Sequence, residues 1–78
     1  MKLNNEIIEL IEYASERGFP VHVNKRDVVI DSFANGFIYV YYNDASDVVI
    51  RTKRRYVNDR IISSDEFKDR IDLWAGVM

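Results

Sequence analysis

The spacing of apolar positions changes twice along the chain, and each change marks a different kind of element. From the start they recur at Leu3, Ile7, Leu10, Ile11 and Ala14, a spacing that gathers them on about a third of a helix circumference at roughly 100° per residue. This predicts a helix over residues 5–17. Asn4 or Asn5 can cap its first turn, and Gly18 with Pro20 supplies its end. Glu9, Glu12 and Glu16 fall opposite the apolar stripe with Glu6 at its edge, giving an acidic outer face that is either plain solvated surface or a docking stripe for a basic partner. The same period returns near the end of the chain. Phe67, Ile71 and Trp74 stand at i, i+4 and i+7, after a Ser63-Ser64-Asp65-Glu66 stretch with the spacing of a capping box. A second helix is expected there, with Asp65, Asp69 and Asp72 as its acidic outer stripe and Gly76 at its end.

Between the helices the period drops to two. The segment VVIDSFANGFIYVYYNDASDVVIRTKRR, residues 28–55, is apolar at most positions until it turns basic. Its Asn35-Gly36 pair is the signature of a two-residue type I′ hairpin. That turn would place Ala34 opposite Phe37, Phe33 opposite Ile38, and Ile30 opposite Tyr41. A second hairpin through Asn43-Asp44-Ala45-Ser46, with a loop of two or four residues, would set Tyr41 opposite Val48 and Ile38 opposite Arg51; a three-residue loop would shift this register. One face then carries Val28, Ile30, Ser32, Ala34, Phe37, Tyr39, Tyr41, Val48, Ile50 and Thr52. The other carries Val29, Asp31, Phe33, Ile38, Val40, Tyr42, Val49, Arg51, Lys53 and Arg55. The first is assigned to the core, because only the second mixes apolar and charged residues. The fold class is therefore α+β: a three-stranded antiparallel sheet, four-stranded if Val21-His22-Val23 adds an edge strand, flanked by an N-terminal and a C-terminal helix. Arg60-Ile61-Ile62 reads as an extended lead into the last helix.

Two short helices can cover one face of this sheet. The second face would then show an apolar centre of Val29, Phe33, Ile38, Val40 and Val49 bordered by Arg51, Lys53 and Arg55, more than a monomer usually leaves open. The alternative is a three-layer arrangement with a helix on each face, since strands buried on both sides read as continuous apolar runs.

Composition bounds the rest. A chain of 78 residues, 47% hydrophobic and 31% charged, has room for one small core and is read as a single compact domain over residues 1–78. It has no cysteine, so neither disulfides nor thiolate metal sites hold it together, and the reading for its location is cytoplasmic. Four glutamates in the first 18 residues do not fit the apolar core of a secretory signal, and no run reaches membrane-span length. The net charge of −2 leaves electrostatic function to local patches.

Candidate chemistry adds little to this picture. His22 is the sole histidine, no nucleophile is spaced against it, and the carboxylates fall on convex helix stripes without a pocket. No phosphate-binding glycine loop is present. The reading is non-enzymatic, without cofactor or metal. The segment RTKRRYVNDR, residues 51–60, holds five of the eleven Lys and Arg. Beside Phe33 and Tyr42 it resembles a surface on which aromatics stack single-stranded bases while cations meet phosphate, which makes RNA or DNA binding the alternative function. The bland reading of that segment is a charged edge strand that resists aggregation.

A protein interface accounts for more of the features together, because an apolar centre with an arginine-rich rim suits one and the acidic helices offer a second surface. The candidate partner-binding residues are Phe33, Tyr42, Arg51, Lys53 and Arg55 on the sheet and Glu9, Glu12 and Glu16 on the first helix. In its order of NNEIIELIEYASERG, the DSFANGFIYVYYNDASDVVI meander and SSDEFKDRIDLWAG, the chain resembles small phage-encoded inhibitors, including some anti-CRISPR proteins. The resemblance implies stoichiometric inhibition of a host enzyme or nucleoprotein complex. A host protein is the partner so implied. Self-association through the exposed sheet face and a structural role in a virion are further readings of the same surface.

Overall fold

The computed structural model describes residues 1–54 and 57–76, and the side chains of residues 54 and 57–59 lie outside that description. Helix α1 spans Asn5–Glu16, strands β1 to β5 span Val21–Val23, Val28–Asp31, Phe37–Tyr42, Val48–Arg54 and Val57–Ile62, and helix α2 spans Ser64–Trp74. The strands form one antiparallel meander in sequence order. The fold is α+β as expected, but the sheet has five strands. Val21-His22-Val23 is the edge strand anticipated, and Arg60-Ile61-Ile62, read as a lead-in, belongs to β5 and pairs with β4.

Both helices start where their caps dictate. Asn4 Oδ1 accepts the Ile7 amide at 2.8 Å, and Ser63 Oγ accepts the Glu66 amide at 3.1 Å, each satisfying one of the amides that a helix leaves without an internal partner. The Glu66 carboxylate turns outward to Arg60 and Arg70 instead of closing the second half of a capping box.

The first hairpin departs from the two-residue turn. Ser32 to Gly36 form a five-residue connection with a single 3₁₀ turn over Phe33–Asn35, closed by Ser32 N–H and Oγ–H both donating to the Gly36 carbonyl, at 3.0 and 2.6 Å. Asp31 Oδ1 accepts the Phe33 amide at 2.8 Å, and Asn35 Nδ2 donates to the Ser32 carbonyl at 3.3 Å. Local side-chain bonds from Asp, Ser and Asn thus offer the backbone a different turn from the one that Asn-Gly alone would make. As a result Ile30 pairs with Ile38, not Tyr41. The slip is three residues, an odd number, so β3 presents the opposite side chains inward. Ile38 and Val40 are fully buried, and Phe37, Tyr39 and Tyr41 face away. The physical preference is plain: two β-branched aliphatics fill the core without bringing in phenol hydroxyls that need partners.

The second hairpin slips by one. Asp44, Ala45 and Ser46 form a three-residue loop closed by the Asn43 amide donating to the Asp47 carbonyl at 3.0 Å, with Ser46 at φ 64°. Tyr41 therefore pairs with Val49, and Ile38 with Thr52. The two odd shifts cancel for β4, whose Ile50 and Thr52 stay on the core side as expected.

The core lies between the sheet and both helices. Ile7, Leu10 and Ala14 of α1 and Phe67 and Ile71 of α2 join Val28, Ile30, Ile38, Val40, Ile50 and Ile62 in one buried cluster. The sheet residues of this cluster share one face by their pairing. The arrangement is two-layered, with helices on that face alone.

Candidate functional site

The helices pack on one face of the sheet and leave the other uncovered. Cross-strand pairing fixes its membership. One row runs His22, Val29, Tyr39, Arg51 and Ile61 across all five strands. A second row holds Asp31, Phe37 and Lys53, and a third holds Tyr41 and Val49. Phe37, Tyr39 and Tyr41 stand at alternate positions on the central strand, so their rings line one side about 7 Å apart along it. Phe37 and Tyr39 are in tilted contact with ring centroids 6.4 Å apart. The Arg51 guanidinium carbon lies 5.8 Å from the Tyr41 ring centroid, within reach of a cation–π attraction. Phe37 is 44% exposed and Ile61 62%, while Val29, Tyr39, Tyr41, Val49 and Arg51 are half-buried by one another. The face is aromatic in the middle, aliphatic on both sides and charged at one end.

Of the candidate sheet residues, Arg51 and Lys53 are on this face, as are Val29 and Val49 of the expected apolar centre. The other assignments change. Ile38 and Val40 lie beneath the helices because of the three-residue slip. Tyr42 also turns to the core side, where its hydroxyl donates to the Lys2 carbonyl at 2.8 Å and accepts the Asn4 amide at 3.2 Å, fastening the N-terminal segment to β3. Phe33 is not a strand residue at all. It sits in the 3₁₀ turn at φ 57°, 63% exposed, with its ring 6.0 Å from that of the buried Phe19. Arg55 lies outside the described residues. Phe37, Tyr39, Tyr41 and Ile61, absent from the sequence-derived site, occupy the face in their place. Their signal was the phenol hydroxyl count: a core built on Tyr39 and Tyr41 would have buried two.

The acidic helix stripe is divided by the seam between the helices. Glu9 accepts Lys68 Nζ at 2.6 Å. Asp72, expected on the outer stripe, instead takes the Tyr13 hydroxyl at 2.8 Å and Arg17 Nε at 2.9 Å, while the Arg17 guanidinium lies 3.5 Å from the Tyr13 ring centroid. The Asp72 carboxylate and partial burial raise the Tyr13 phenol above its ordinary 10.0, and the bond to Glu9 raises the Lys68 ammonium above 10.5. These groups join α1 to α2 and are occupied with one another. Glu12, Glu16, Asp65 and Asp69 remain exposed, with Glu16 at 3.9 Å from Arg17. Glu9 stays exposed although paired with Lys68, and it keeps an outward position together with Glu12 and Glu16.

A shallow hollow of about 260 Å³ opens beside Lys2, Leu3, Asn4, Tyr42 and Ser46. It gathers no cluster of acids, bases or nucleophiles. His22 is exposed on the edge strand, and among the described residues no group of three His, Asp or Glu side chains is placed to hold a metal ion. Nor is any helix among them long and apolar enough to cross a membrane. The chain matches no known protein family, no curated protein and no solved structure.

Proposed function

We propose that this chain is a non-enzymatic protein-binding module that uses its helix-free sheet face as the docking surface. The observation that carries the reading is the composition of that face: Phe37, Tyr39 and Tyr41 along the central strand, Val29, Val49 and Ile61 beside them, and Arg51 and Lys53 at one side. Aromatic residues and arginine are the types that concentrate binding energy at interfaces. Both helices are committed to the opposite face, so they offer this surface no cover. The partner is a protein, either of the host, in the stoichiometric mode that the likeness to small phage-encoded inhibitors implies, or a second copy of this chain, with the acidic positions Glu12 and Glu16 as a second point of contact.

A second reading, single-stranded RNA or DNA, is favoured by one observation, the row of three rings flanked by Arg51 and Lys53. A pull-down with and without nuclease, comparing the wild type with Arg51→Glu/Lys53→Glu, separates the two. Capture of a protein that survives nuclease and is lost in the variant supports the protein interface. Capture lost on nuclease treatment supports nucleic acid, and capture unaffected by the substitutions removes this face from consideration.

A further inference from the structure

The charges at the rim of the sheet face identify an occupant, on the premise that the face docks protein. We propose that the occupant is a second copy of this chain, stacked face to face about a two-fold axis running along β3. Strand β3 is the middle of five, with β2 and β4 on either side. Turning a copy over about an axis along β3 lays its β4 on β2 and its β1 on β5, and keeps the ends of the strands together. Asp31 and Lys53 occupy mirrored positions in this arrangement, since both are cross-strand neighbours of Phe37, one from β2 and the other from β4. The axis therefore brings Asp31 of each copy onto Lys53 of the other, making two opposite-charge contacts from one pair of residues. An axis across the strands would instead set the Asp31 and Lys53 end over Tyr41 and Val49, leaving both charges without a counterpart. Along the favoured axis, Phe37 and Tyr39 meet their own copies, and Val29 comes level with Arg51.

Stacked sheets pack with a modest rotation about 10 Å apart, which lets such side chains interdigitate. A polyanion fits less well, because Asp31 stands beside Phe37 in the row that would have to carry phosphate. Five strands about 4.8 Å apart and about 20 Å long give a footprint of at most about 480 Å² per copy. That is the scale of a weak, reversible contact and smaller than obligate dimers use. The dimer is thus expected to depend on concentration.

Sedimentation equilibrium from micromolar to millimolar chain tests this. The mass should rise from 9.2 kDa towards twice that value. Lys53→Glu alters an exposed side chain and should hold the mass at 9.2 kDa with an unchanged circular dichroism spectrum. Mixed with Asp31→Lys, which restores both opposite-charge contacts in the mixed pair, it should form dimers again. Asp31 also holds the Phe33 amide, so Asp31→Asn, which keeps an oxygen acceptor there, serves as a second variant and should raise the dissociation constant about tenfold. A wild type that stays at 9.2 kDa throughout, or a dimer indifferent to Lys53→Glu, overturns the proposal. A monomeric wild type whose nuclease-resistant capture of another protein still needs Arg51 and Lys53 overturns the second copy while sparing the docking face. A monomer whose capture ignores those residues overturns both. A monomer that binds an oligonucleotide through Arg51 and Lys53 overturns the second copy and assigns the face to nucleic acid.

Discussion

Among the described residues, Phe33 at φ 57° and Ser46 at φ 64° carry backbone conformations that L side chains rarely adopt. The left-handed region costs a non-glycine residue about 1 kcal/mol or more. Phe33 is held there by the Asp31 carboxylate and the contact with Phe19, whereas exposed Ser46 sits in the loop that Asn43 closes through its own side chain. Ser46→Gly should therefore stabilise the domain by about 0.5 kcal/mol, the relief of strain being partly offset by glycine's freedom in the unfolded chain. A thermal melt should show the midpoint rising by roughly 2–4 °C. At the helix seam the sign of the pH dependence follows from the raised Tyr13 and Lys68 values. Each favours the protonated form in the folded state, so its stabilisation is present in full below the ordinary value and is lost as pH climbs through the higher folded one. Denaturant melts above pH 10 should show stability falling with pH in the wild type and falling less steeply in Tyr13→Phe.

At the scale of elements, the helices were legible in the sequence because capping and period agree: Asn4 and Ser63 cap as their positions imply, and the stripes of Ile7, Leu10, Ala14, Phe67 and Ile71 are the ones buried. The sheet was legible in part. Asn35-Gly36 marked a turn in the right place, but its type depended on bonds from Asp31, Ser32 and Asn35, and the type decides register. An odd slip then exchanged the two faces of β3 and, with them, most of the candidate site. Arg51 and Lys53 survived because the next hairpin slipped by an odd number too. The fifth strand was missed because polar Asn58, Asp59 and Arg60 leave only Ile61-Ile62 as an apolar signal, too short to mark a strand, while its pairing with β4 is a tertiary matter. Ile38 and Tyr39 make the register measurable. Ile38→Ala should cost about 2–5 kcal/mol, as removal of a fully buried aliphatic does, and Tyr39→Ala less than about 1 kcal/mol in the monomer. Chemical denaturation with the costs reversed would restore the two-residue turn. Ser63→Ala should cost about 1 kcal/mol through the lost cap of α2.

At the scale of the whole molecule, a chain this short gathers both helices on one side of its sheet and leaves the other side open. The aromatic face left uncovered by the helices is the surface on which the proposed association would form. In a face-to-face pair the helices would lie outermost, presenting Glu12, Glu16, Asp65 and Asp69 on both sides of the assembly. The most direct measurement is a concentration series of amide NMR spectra on the wild-type chain, from micromolar to millimolar. Self-docking should shift or broaden the signals of Val29, Phe37, Tyr39, Tyr41, Val49 and Arg51 and leave the solvent side of α1 and α2 unmoved. Changes confined to the helices, or spectra that do not change with concentration, would contradict self-docking through the sheet.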